Sequence, residues 1–308
     1  MHKAFLAVLL LGTGVANAAD LGGTIEAVRR SCGGISAELS DMKRMAGINT
    51  AVTGVGTVAG GVAVGTGIAK AGTDKELAKW EQILDEMIKK EKDGNYEFTT
   101  IDMPTYEEWM AKLGNDAGKD QVSDKIDELE SRSKTLGNVR TGTLAANTVT
   151  NIVSTAIASN NRIKGDLQSQ INDCIEDVEK LSLAMGQARI SGDASGSEIS
   201  RAEKIVSECG MWSTVDLSSV NKRAGGAATS SGVGAVIGAA GTVTSAMANS
   251  PSVRKGDDKK EKNLNTASNV LAGGATVASL SATIFNASQI SAIKRAATVA
   301  DNCEEALR

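Results

Sequence analysis

The sequence predicts an all-α protein: two duplicated long antiparallel helical hairpins forming an elongated four-helix bundle, with a small helical insertion at the tip of the first hairpin. Three observations carry this expectation. Apolar residues recur at helical spacing over long stretches. Aromatic residues are only 3% of the chain and proline occurs twice, against 33 glycines, a composition that suits helices with small-residue contacts better than an aromatic-rich β-sandwich. The chain also resembles itself.

Periodicity comes first because it defines the helices. Ile25, Val28, Cys32, Ile35, Leu39, Met42 and Ala46 alternate steps of three and four. Leu167, Ile171, Cys174, Val178 and Leu181 do the same, as do Ile293, Ala296, Ala300, Cys303 and Leu307. Such spacing gathers the residues of each series on one apolar seam, as in coiled-coil packing. The cysteines fall on the seams and therefore face other helices.

The repeat sets the topology. Gly54-Val55-Gly56-Thr57-Val58-Ala59-Gly60-Gly61 parallels Gly232-Val233-Gly234-Ala235-Val236-Ile237-Gly238-Ala239, and Cys32-Gly33 parallels Cys209-Gly210 upstream. Each unit reads cysteine, arm, tip, arm, cysteine, and repetition of this kind decides a fold more firmly than a short motif. Pairing Cys32 with Cys174 gives equal arms ending at Gly67 and Val139. Pairing Cys209 with Cys303 gives equal arms ending at Ala248 and Leu264. At about 1.5 Å per residue each arm is roughly 50–60 Å long. The first hairpin is expected over 19–190, a loop over 191–197 (Ser191-Gly192-Asp193-Ala194-Ser195-Gly196-Ser197), and the second hairpin over 198–308.

Residues 1–18 read as a secretory signal peptide. His2 and Lys3 precede the apolar run Ala4 to Val15, and Ala16-Asn17-Ala18 fits a small-x-small cleavage site. The expected address is exported: periplasm, cell envelope or extracellular. Export makes an even number of cysteines a disulfide framework. His2 is the single histidine, so the mature chain lacks the residue that histidine triads and histidine metal sites require.

Residues 45–69, 141–161, 224–253 and 263–293 carry no charge, and every one is bracketed by basic residues: Arg44 and Lys70, Arg140 and Arg162, Arg223 and Arg254, Lys262 and Lys294. Gly56 and Gly60, Gly61 and Gly65, and Gly234 and Gly238 have the GxxxG spacing that lets helix backbones approach closely. These arms resemble the glycine-zipper membrane proteins of bacterial envelopes, and the resemblance implies membrane association. Polar residues point the other way: Asn147, Asn151, Asn160 and Asn161 lie in the second arm, and Asn is a poor choice for a lipid-facing position. A soluble bundle packed through small residues and a membrane-inserting bundle both stay open.

Residues 73–134 form the insertion at the first tip. They are strongly acidic and hold Trp80, Tyr96, Phe98, Tyr106 and Trp109, whereas after the leader only Trp212 and Phe285 lie elsewhere. Leu77, Trp80, Leu84, Met87 and Ile88 make one helical stripe, and Tyr106, Trp109, Met110 and Leu113 another. Five aromatics in one place read either as a small core or as anchors for a protein partner.

Catalytic chemistry is not indicated. Gly54-Val55-Gly56 with Gly60 imitates a nucleotide loop but lies inside an uncharged helical stretch rather than between a strand and a helix. Asp93, Asn95 and Glu97 begin like a calcium loop, yet Pro104 stands where the closing glutamate belongs. No CxxC spacing occurs, and no pair of carboxylates stands out. The net charge of −4 gives no basic footprint for nucleic acid. No enzyme, cofactor, metal or small-molecule substrate is therefore expected. The leading expectation is a non-catalytic interaction protein, a helical rod with a partner-binding head, engaging a protein partner or itself. The alternative is a membrane-inserting or pore-forming protein acting through its Gly/Ala-rich arms.

Overall fold

A computed structural model describes residues 20–93, 119–254 and 258–308. All the regular structure among them is helical, and no strand occurs. The order is α1 (Leu21–Cys32), α2 (Ile35–Asp93), α3 (Lys119–Asn160), α4 (Gly165–Ser191), α5 (Gly196–Cys209), a 3₁₀ turn (Gly210–Thr214), α6 (Leu217–Ala248), α7 (Pro251–Arg254) and α8 (Asp258–Leu307). The long helices join into hairpins, which is the expected class. Residues 1–18, expected to be a signal peptide, lie outside the described residues.

Local chemistry explains where the helices stop. Asp20 caps α1, its carboxylate accepting from the Gly22 amide at 3.1 Å, where the helix dipole favours negative charge. Gly34 has φ +85°, a conformation that favours glycine, and it separates α1 from α2. Gly192 takes φ +76° after α4 and its amide bonds back to the Ala188 carbonyl at 3.0 Å, a common helix ending. Ser195 and Glu198 then form a reciprocal capping box that starts α5. The loop expected at 191–197 is thus built from one helix end and the next helix start.

The second arm of the first hairpin is not a single helix. It breaks at residues 161–164 between α3 and α4. The Ile163 amide, unpaired within a helix there, donates to Asn221 Oδ1 at 2.7 Å.

The described parts of the inserted tip expected at 73–134 are helical and continuous with the arms: α2 runs unbroken to Asp93, and α3 begins at Lys119. Residues 94–118 lie outside the described residues.

The chain divides into two compact units that cut across both hairpins. Of the described residues, unit 1 takes those up to Arg44, Arg162–Asn221 and Gln289–Arg308, and unit 2 takes those within Met45–Asn161 and Lys222–Ser288. Unit 1 has an apolar core containing Val28, Ile35, Leu39, Ile171, Leu181, Ile205, Trp212 and Ile293. The expected seams supply it, because a 3-4 spacing keeps side chains on one helix face. Cys32 bonds to Cys174 and Cys209 to Cys303, with Cα–Cα distances of 4.8 and 4.5 Å; these are the pairs that equal arms require. The C-terminus is tied in as well. Arg29 donates to the Leu307 carbonyl at 2.8 Å, and Glu304 accepts from the Gly34 amide at 3.2 Å.

Candidate functional site

Unit 2 reverses the usual distribution of side chains. Among the described residues the buried polar and charged side chains are Asn49, Thr53, Lys70, Thr73, Ser133, Arg140, Asn147, Asn151, Ser154, Asn161, Ser231, Ser245, Ser268, Ser279 and Asn286, all in unit 2, and Gln289 in unit 1. The exposed large apolar side chains distribute the same way. Among the described residues only Leu183, Ile190 and Met211 belong to unit 1, whereas unit 2 exposes a long series that includes Val58 at 68%, Ile68 at 67%, Val236 at 72% and Val270 at 70%. A water-soluble bundle buries such residues. Exposed apolar surface of this kind is uncommon on a water-soluble monomer.

The interior of unit 2 is small and hydrogen-bonded. Asn49 on α2 donates to Asn286 Oδ1 on α8 at 2.9 Å. Asn151 on α3 donates to Asn147 Oδ1 at 2.8 Å and to Ser279 Oγ on α8 at 2.9 Å, and Ser279 in turn donates to Asn147 Oδ1 at 2.9 Å. Ser154 and Ser231 join α3 to α6 through their hydroxyls at 2.8 Å, and Thr141 and Ser245 do so again at 2.8 Å. Side-chain bonds of this kind hold helices together where lipid removes the hydrophobic drive, at roughly 0.6–2 kcal/mol apiece.

Glycines seat these polar groups. A methyl built on Gly234 would stand 2.9 Å from Asn151 Nδ2, and one on Gly56 would stand 2.5 Å from Thr150 Oγ1 and 3.1 Å from Asn147 Oδ1. Gly60 meets Thr276, and Gly238 meets Thr148 at 2.6 Å. Gly56, Gly60, Gly234 and Gly238 thus pack closely against neighbouring helices. Gly61 and Gly65 do not: nothing lies within 4 Å of either added methyl, and both are exposed. They occupy the outer face of α2, so the expectation of close packing at these two is corrected. Gly67 against Asn269, Gly137 against Asn249 and Gly226 against Phe285 are seats that no GxxxG spacing announced.

At one end of the uncharged stretches the charges are buried and paired. Lys70 donates to Asp74 Oδ2 at 2.7 Å and to Glu261 Oε1 at 3.0 Å. Ser133 donates to the other oxygen of Asp74 at 2.5 Å, and Arg140 reaches Asn265 Oδ1 at 3.4 Å and its carbonyl at 3.2 Å. Lys70 and Arg140 are each 1% exposed. A buried charge needs such partners.

Of the aromatic residues gathered at the first tip, Trp80 is described and is 4% exposed, packed with Val122 and Leu129 and flanked by Leu77, Leu84, Met87 and Ile126. It pairs α2 with α3 as core and offers no surface to a partner, which corrects its expected role as an anchor. Tyr96, Phe98, Tyr106 and Trp109 lie outside the described residues. The Cys32, Cys174 and Cys303 sulfurs come within 4.8 Å of one another, but each is bonded in a disulfide and is not a thiolate ligand.

Among the described residues three helical spans are long and apolar enough to cross a membrane: Leu21–Lys89, Leu217–Ala248 and Lys259–Leu307. Within their most apolar windows only 28%, 33% and 28% of residues are buried. The two buried disulfides indicate an oxidising, exported environment. Comparison with protein-family models, curated proteins and solved structures finds no match.

Proposed function

We propose that this chain is an exported, non-catalytic protein of the cell envelope or its surroundings whose unit 2 inserts into a membrane as a four-helix bundle. The supporting observation is the reversal of side chains between the two units. Unit 1 has an apolar core of large side chains, whereas unit 2 buries amides, hydroxyls and glycines beside alanines and a few larger apolar residues such as Trp80, Leu129 and Leu144, and exposes a long series of valines and isoleucines. At about 1.5 Å per residue the four uncharged stretches span roughly 30–45 Å, enough for a hydrocarbon core of about 30 Å. Of their basic brackets, Arg44, Arg162, Lys262 and Lys294 are exposed and suit the headgroup region, where long cationic side chains reach polar surroundings. Exposed glycine in a helix costs roughly 0.8–1 kcal/mol relative to alanine in water, and a lipid environment lessens that cost because an opened helix would leave backbone groups unbonded.

The rod-and-head reading draws less support, because Trp80 is core. Partition of the protein decides between the two. Cells expressing the chain are fractionated and the membranes are washed with carbonate. Retention in the washed membrane, with liposome leakage as a further readout of insertion, is the expected result. Complete release as a soluble protein with intact disulfides would return the rod-and-head reading to first place.

A further inference from the structure

The two disulfides of unit 1 adjoin. Cys32 and Cys174 are bonded to each other, and Cys303 is bonded to Cys209. Yet the Cys303 sulfur lies within 4.8 Å of both the Cys32 and the Cys174 sulfurs. The four cysteines come from α1, α4, α5 and the C-terminal end of α8, and all are buried, none more than 2% exposed. We infer that Cys303 is a thiol–disulfide exchange site directed at the Cys32–Cys174 bridge.

The chemistry closes without an oxidant. An external dithiol reduces Cys209–Cys303 to two thiols and is itself oxidised to its disulfide. The Cys303 thiol loses its proton, and the thiolate attacks the Cys174 sulfur. A Cys174–Cys303 bond forms, the Cys32–Cys174 bond breaks, and Cys32 leaves as a thiolate that takes up a proton. Attack on Cys32 gives Cys32–Cys303 and frees Cys174. If the dithiol opens Cys32–Cys174 first, either released thiolate attacks Cys303, expels Cys209 and reaches the same products. The exchange step itself changes no oxidation state.

The local fold provides both reach and consequence. Cys32 is the last residue of α1, next to the Gly33–Gly34 break, so its end of the seam is not held by a continuing helix. In the resting pairing each bridge closes one hairpin on itself. The exchanged pairing ties the first hairpin to the second and leaves two thiols. Cys303 is therefore the residue through which a reductant changes which helices are covalently joined. This inference does not depend on membrane insertion, because its readout is the disulfide map.

The test uses the full mature chain with Cys209→Ser, which leaves Cys303 as a free thiol beside an intact bridge. After incubation near the ordinary cysteine pKa of about 8.5, thiols are blocked and the non-reduced protein is mapped by peptide mass spectrometry. Circular dichroism checks that it remains helical. The expected result is loss of the Cys32–Cys174 peptide and appearance of Cys303 joined to Cys32 or Cys174. Retention of Cys32–Cys174 with Cys303 fully blocked as a thiol would overturn the inference. Should the variant not fold, wild-type protein is treated with limiting dithiothreitol and acid-quenched. Mixed bridges to Cys303 are then expected, and a mixture of native pairs and reduced thiols alone would overturn it.

Discussion

Asn151 on α3 donates its side-chain amide to Ser279 on α8 at 2.9 Å, and both side chains are buried. The same amide bonds Asn147, whose oxygen also accepts from Ser279. This triangle holds two long helices together in the middle of two stretches that carry no charge.

Asn151→Leu removes the hydrogen bonds to Asn147 Oδ1 and Ser279 Oγ and leaves those two groups bonded to each other. A hydrogen bond is worth about 0.5–1.5 kcal/mol net, so the variant should unfold earlier in a denaturant or detergent titration. Ser279→Ala removes the group that bonds both asparagines and should lose a comparable amount. The double variant should lose less than the sum, because the two residues share one network.

The glycines divide into seats and open positions, and alanine scanning should reproduce the division. Gly234→Ala drives a methyl against Asn151 Nδ2 at 2.9 Å, where the amide is already committed to Asn147 and Ser279. Overpacking of this kind costs about 1–3 kcal/mol. Gly61→Ala meets nothing within 4 Å, so the folded bundle should tolerate it or gain by up to about 1 kcal/mol of helix propensity. Thermal unfolding of the two single variants gives the comparison.

Trp80→Ala should act on stability. Removing a buried tryptophan costs about 3–5 kcal/mol, here taken from the packing of α2 against α3. Faster proteolysis or amide exchange around residues 77–87 and 122–129 is the expected readout.

Glu198 supplies a pH dependence. Hydrogen bonds from the Ser195 side chain and then from the Ser195 backbone hold its pKa below the ordinary glutamate value. The carboxylate is thus favoured more in the folded than in the unfolded chain. The stability it contributes is present above the unfolded glutamate pKa of about 4.3 and disappears as pH falls through the lower folded value. Glu198→Gln should flatten the acid limb of the unfolding curve in that window. Ser195→Ala should raise the Glu198 pKa toward its ordinary value, as read by NMR titration.

Much of unit 1 was legible in the sequence because its packing obeys one rule. Val28, Cys32, Ile35, Leu39, Ile171, Cys174, Ile293 and Cys303 are all buried, and a 3-4 spacing of apolar residues states that directly. Unit 2 was harder to read because polarity there is inverted. Asn147 and Asn151 looked like an argument against lipid, yet a polar residue four places from another simply marks the inward face once the outward face is Val149, Ile152 and Val153. Sequence spacing alone does not say which face of an uncharged helix is the interior. The same ambiguity applies to Gly61 and Gly65, whose GxxxG spacing repeats that of Gly56 and Gly60 five residues on and so falls on a different face of the helix. Trp80 was ambiguous for another reason: an aromatic in a helical stripe anchors either a core or a partner, and only the positions of Val122 and Leu129 across the hairpin distinguish the two.

Thiol labelling shows what meets the outer face of unit 2. The native cysteines are all bonded, so one introduced cysteine is the one reactive thiol. Val58→Cys, Val236→Cys and Val270→Cys place it on the exposed apolar faces, and Leu183→Cys places it on unit 1. Each variant is mixed with lipid vesicles and treated with a charged, membrane-impermeant maleimide. With unit 2 inserted, the three unit 2 positions become protected when vesicles are added and react again once detergent dissolves them, while position 183 reacts throughout. Equal, vesicle-independent labelling at all four positions would contradict insertion.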